Sequence, residues 1–123
     1  MNEYLQQYKL SEAVDLPSYI PARYNTTTTV VDDREDVIVL YCQLEDGNHS
    51  IVLQYRCWKD GRSATEVQKG IEDPEEFITG DGQIIYIVSN MDLFNAIWIK
   101  GDIECAIYGI SSREELVKII SSL

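Results

Sequence analysis

Residues 37–58 read VIVLYCQLEDGNHSIVLQYRCW, and their alternation decides how the chain folds. Ile38, Leu40, Cys42 and Leu44 share one face of an extended strand, and Ile51, Leu53, Tyr55 and Cys57 share one face of the next. A two-residue loop at Gly47-Asn48 pairs 44 with 51, 42 with 53, 40 with 55 and 38 with 57. Both apolar sets then lie on the same side, so turn chemistry and burial agree on one register. Gln43, Glu45, Gln54 and Arg56 face the other way, and Tyr41 and Trp58 fall on that polar side too. Either aromatics exposed there mark an interaction surface, with Tyr41, Trp58 and the neighbouring Arg56 as its candidate residues, or a second layer such as the N-terminal segment covers them.

The same reading extends outward. Thr26 to Asp32 is β-branched and predicts a preceding strand, with residues 32–36 as a charged turn. Residues 83–89, 93–100 and 103–109 predict three more strands. Closing the last pair at Gly101-Asp102 sets Trp98 opposite Cys105 and Ala96 opposite Ile107. Leu116, Ile119, Ile120 and Leu123, widened by Val117, recur at helical spacing over 112–122. Ser112 with Glu115, or Ser111 with Glu114, offers a capping box. Residues 2–14 carry a weaker helical pattern. Residues 16–21, LPSYIP, cannot be helical inside, because each proline removes a donor and extends its predecessor; they predict an extended entry pinned by Tyr19 and Ile20. Residues 59–81 are the loosest stretch, with a short helical turn expected near Pro74. The fold class expected is α+β: a mostly antiparallel sheet of five to six strands with a C-terminal helix packed on one face. It makes a single domain of 1–123, with 1–24 as N-terminal helix and extended segment, 25–110 as sheet and 111–123 as helix.

A chain of 123 residues, 45% hydrophobic and 25% charged, can bury one core and is not of disordered composition. Its net charge of −11 opposes a phosphate backbone, and the ten Lys and Arg form no basic patch, so nucleic acid is not an expected partner. No apolar run approaches the roughly 20 residues of a membrane span, and the first residues do not read as a signal peptide. The chain is therefore expected to be cytosolic as written or a piece of a longer exported protein. Cys42, Cys57 and Cys105 match neither zinc nor redox spacing. Cys42 and Cys57 lie four rungs apart on the hairpin, about 13 Å at roughly 3.3 Å per residue, beyond the reach of a disulfide. His49, the one histidine, is expected to be a solvated turn residue. The acidic clusters 32–36 and 72–76 lack the ligand alternation of a calcium loop and read as solvated charge. No cofactor and no catalytic or metal residue is predicted.

Two stretches carry a resemblance. Leu16-Pro17-Ser18-Tyr19-Ile20-Pro21 followed by Tyr24 resembles a "P-x-Y-hydrophobic-P-x-G-Y" opening, with Arg23 where glycine is usual. Residues 96–101, AIWIKG, lead through 107–110, IYGI, to 112–123, SREELVKIISSL. This ending is similar to the "W-x-x-x-G … G-x-x-S-x-E-E-L-x-K-I-x-x-S-L" of the bacterial family called domain of unknown function 4367. The resemblance implies an extracytoplasmic module of Gram-positive bacteria, found in anti-sigma-factor-like membrane proteins and lipoproteins, with no catalytic residues to carry over. Trp98, Gly101, Gly109, Glu115 and Leu116 match the pattern and are expected to be structural. The function expected is a non-enzymatic sensing or protein-interaction domain on the outer side of the membrane, binding another protein or envelope component, with no membrane insertion by this segment. The alternatives are a cytosolic acidic inhibitor or immunity-type protein with a basic partner, or an enzyme whose carboxylates meet only in space.

Overall fold

In the computed structural model the described residues are 17–47, 49–58, 75–100 and 103–123. They form strands β1 (Thr26–Asp33), β2 (Val37–Glu45), β3 (Ser50–Trp58), β4 (Glu75–Ile78), β5 (Ile84–Asn90), β6 (Leu93–Lys100) and β7 (Ile103–Ile110), then helix α1 (Arg113–Ile120). The seven strands make one sheet in the order β1-β2-β3-β7-β6-β5-β4, with every pairing antiparallel. The expected helix at 2–14, the turn at Pro74 and the Gly101-Asp102 loop lie outside the described residues.

The β2–β3 register is the one the alternation requires: Leu44 meets Ile51, Cys42 meets Leu53, Leu40 meets Tyr55 and Ile38 meets Cys57. Gly47 takes φ +99° at the hairpin tip, a conformation that costs glycine nothing. Trp98 opposes Cys105 and Ala96 opposes Ile107, also as read from the sequence. Cys42, Cys57 and Cys105 are not joined by disulfides. The sheet has seven strands rather than five or six. The strand missed is β4, four residues with Glu75 and Glu76 exposed, too short and too acidic to alternate visibly.

One face of the sheet is the core. Across it run Val31, Leu40, Tyr55, Cys105 and Trp98, each opposite the next, and α1 lies over β6 and β7. Leu116, Ile119 and Ile120 are fully buried, while Val117 and Leu123 pack at the margin. Ser112 caps the helix, its Oγ accepting from the Glu115 amide at 3.3 Å. The expected capping box is only half made, because the Glu115 carboxylate accepts instead from Arg23 at 2.6 and 2.7 Å.

The entry segment is pinned differently from expectation. Ile20 packs against the core and Pro21 is buried, but Tyr19 is exposed. The backbone holds the segment instead: Ser18 donates through its amide and its Oγ to the Ser122 carbonyl at 3.3 and 3.0 Å, and the Tyr19 amide donates to Ser122 Oγ at 3.0 Å.

Gly109 makes the passage from β7 to the helix possible. Phe94 pairs with Ile110 and Ala96 with Ile107, so β7 carries an extra residue there. That bulge switches the alternation and returns Ile110 to the core side, where it is fully buried. Gly109 sits at φ +89°, and a Cβ on it would lie 3.1 Å from the Ser50 carbonyl oxygen. Its amide donates to Asn95 Oδ1 at 2.9 Å. Gly109→Ala is therefore expected to cost about 1–3 kcal/mol through backbone strain and this close approach. A urea midpoint equal to that of the parent chain would contradict the bulge geometry.

Candidate interaction face

The register that buries one face lines up the other. Val30, Tyr41, Gln54, Ala106, Ile97, Tyr86 and Glu76 stand opposite one another in a single row across all seven strands. A second row holds Asp32, Val39, Arg56, Glu104 and Ile99. A third holds Thr28, Gln43, Val52 and Tyr108. Helix α1 packs on the opposite side, through the core residues.

At the centre, Arg56 on β3 faces Glu104 on β7 with Nη1 3.7 Å from Oε2. Glu104 is buried, and the neighbouring cation compensates its charge. Tyr108 stands beside this pair; its burial pushes the phenol up, so it stays a hydrogen-bond donor at neutral pH. Val37, Val39 and Ala106 on this face are buried like Glu104, so its middle is shielded from solvent, while Ile97, Ile99 and Val52 and the tyrosines Tyr41, Tyr86 and Tyr108 are half-buried. Tyrosine presents a rigid apolar ring and one polar tip, which suits contact with another protein surface.

Of the three residues proposed from sequence, Tyr41 and Arg56 lie on this face, in adjacent rows. Trp58 ends β3 opposite Val37; its side chain lies outside the described residues. Sequence reasoning missed Tyr86, Ile97, Glu104 and Tyr108. The signal was the even-numbered set of 104–108, which continues the polar side of β3 once β7 is known to lie beside it.

His49 is not the solvated turn residue expected. It is half-buried, its Nε2–H donates to the Gly109 carbonyl, and its amide donates to Asp46 Oδ1 at 2.7 Å. The Tyr24 ring lies 6.4 Å from it. Arg23 stacks over Tyr24 at 4.7 Å, binds Glu115 and lies 3.7 Å from Asp46. The Glu115 carboxylate first, then the Tyr24 hydroxyl, hold the Arg23 guanidinium more firmly protonated than usual. This group ties the entry segment, the hairpin tip, the bulge and the start of the helix together. Through Nε2–H on the Gly109 carbonyl, His49 ties the hairpin tip to the bulge of β7.

The remaining concavities are shallow. One of about 460 Å³ lies along α1, between Tyr19, Val117, Lys118, Ser121 and Ser122. Another of about 350 Å³ lies between the 77–81 turn and the chain end. Among the described residues, no three His, Cys, Asp or Glu side chains are grouped so as to hold a metal ion. Of the acidic clusters, Asp32 pairs with Arg34 and Glu75 with Arg113, both at 2.6 Å. No helix among the described residues is long and apolar enough to cross a membrane.

The described residues make an antiparallel sheet with a helix on one side and, on the other, a partly buried face of tyrosines, aliphatic side chains and the Arg56–Glu104 pair. The family model described as Domain of unknown function (DUF4367) matches residues 16–123, and the chain belongs to that family. No curated protein and no solved structure matches the chain.

Proposed function

We propose that this chain is a non-enzymatic interaction domain of a bacterial envelope protein, working on the outer side of the membrane, and that it recognises a protein partner through the face bearing Tyr41, Arg56, Tyr86 and Tyr108. The observation that carries the reading is the row of side chains spanning all seven strands on the side opposite α1, with half-buried Tyr41, Tyr86 and Tyr108 around a buried middle. Tyrosine and arginine on a rigid sheet are the residue types that anchor protein interfaces. The net charge of −11 favours a partner of opposite sign and speeds its approach. The outer location rests on the family.

Two cellular experiments test the halves of this reading. Met91, 89% exposed at the β5–β6 turn, offers a site for Met91→Cys in the full-length parent protein. A membrane-impermeant maleimide should label it in intact cells above the level seen with the parent cysteines. Labelling only after lysis would favour the cytosolic inhibitor. A photocrosslinking amino acid at position 86 should capture a discrete partner, whereas the same group at position 91 should not. Equal capture from both positions would remove the face from the proposal.

A further inference from the structure

Solvent reaches the tyrosine-bearing face unevenly. Val37, Val39, Glu104 and Ala106 are buried, and Tyr86, Ile97 and Ile99 are half-buried. At the β4 end the face opens: Ile84 is 39% exposed, and Ile78, directly opposite it, is 63% exposed. Ile84 and Ile99 each stand two residues beyond the Tyr86–Ile97 pair, on the same side of the sheet. Ile78, Ile84 and Ile99 therefore make an aliphatic corner. The core does not call for it, because Phe77 and Ile85 take the inward positions of the same two strands. The open side of an edge strand is ordinarily kept charged, so an isoleucine pair exposed there marks a contact surface.

Ile78 also lines a concavity. The cavity of about 350 Å³ at the 77–81 turn has Phe77, Ile78, Thr79, Asp81 and Leu123 among its walls and room for one aliphatic side chain. Its surroundings are acidic. The Thr79 hydroxyl and the Gln83 amide both donate to Asp81 Oδ1. These bonds, with a smaller pull from Lys100, hold the Asp81 carboxyl below its ordinary value, so it is ionised at neutral pH. Glu76 is exposed two residues before Ile78, on the same side of β4. Glu75, on the other side, is paired with Arg113.

We propose that this corner receives a basic segment of the protein partner: an aliphatic side chain enters the cavity beside Phe77 and Ile78, and a Lys or Arg next to it meets Asp81 and Glu76. The proposal rests on the reading of this face as a recognition surface and names the partner's chemistry there. Charge decides the occupant. Two carboxylates border the corner in a chain of net charge −11, so a second copy or an anionic lipid surface is repelled. A neutral aliphatic segment would desolvate both carboxylates and pair neither. A basic one covers the isoleucines and compensates the charge together.

Amide NMR of the intact chain, titrated with the pentapeptides KKLKK, KKSKK and EELEE, tests this. KKLKK should shift the signals of 76–86 and 99 to saturation. KKSKK should bind the same residues about tenfold more weakly, the effect of one leucine side chain leaving water. EELEE should shift nothing. Ile78→Ser should bring KKLKK down to the level of KKSKK. Glu76→Gln should weaken both lysine peptides about threefold, as loss of one exposed ion pair does; it disturbs no buried contact and decides the matter if Ile78→Ser misfolds. Equal binding of KKLKK and KKSKK, or shifts scattered over the whole surface, would reduce the corner to general charge attraction and overturn the proposal. A chain that doubles its mass without peptide, and loses the doubling on Ile78→Ser, would give the patch to a second copy and overturn it too. The two readings fail separately. If a photocrosslinker at position 86 captures its partner equally with and without Ile78→Ser, the corner is struck and the face remains.

Discussion

Trp98→Ala is expected to destabilise the chain by about 3–5 kcal/mol, as removal of a large buried aromatic does. Trp98 is 2% exposed and lies in the row that continues through Cys105, Tyr55 and Leu40 under the helix. It stands opposite Cys105 on β7, and removing its ring leaves a cavity that a close-packed core fills only in part. A domain of this size is commonly stable by only about 5–15 kcal/mol; the substitution would remove a large share of that. Chemical denaturation with tryptophan-independent detection, such as far-UV circular dichroism, measures it. A midpoint equal to that of the parent chain would mean that Trp98 is not in the core. Trp98→Phe, which keeps an aromatic ring in place, should lose less.

Deleting residues 113–123 is expected to unfold or aggregate the chain. Leu116, Ile119 and Ile120 are fully buried, and burial of such side chains contributes roughly 1.5–3 kcal/mol each. Three of them supply roughly 5–9 kcal/mol, comparable with the whole stability of a small domain. The deletion also removes Ser122 from Ser18 and Tyr19, and Glu115 from Arg23, so the entry segment loses its anchors. An eight-residue helix cannot persist alone in water; it exists here because the sheet holds it, and the sheet's inner face stays dry because the helix covers it. Loss of the cooperative thermal transition, together with dye binding to exposed apolar surface, is the expected result. A truncated chain that kept its cooperative melt would make α1 a recognition element rather than a wall of the core.

The hairpin register, the Trp98–Cys105 pairing and the apolar stripe of α1 were determined by the sequence alone. Each rests on periodicity over a few residues and on a tight turn, and one slipped residue would send a whole apolar set to the wrong side. The family was legible for a similar reason, since its motifs occupy short runs at the two ends. Strand β4 was not legible, because four residues with two glutamates carry no period; β5 beside it supplies the ladder that makes 75–78 extended. The partners of His49 and Glu115 were hidden too. Local chemistry offered a solvated turn for one and a capping box for the other. The fold brought Gly109 to His49 across 60 residues and Arg23 to Glu115 across 92. Tyr41 and Arg56 could be placed on the polar side of a hairpin from alternation. That Glu104, Tyr108 and Tyr86 join them was decided by strand order, since β7 enters between β3 and β6 and no pattern within a single strand encodes its neighbours.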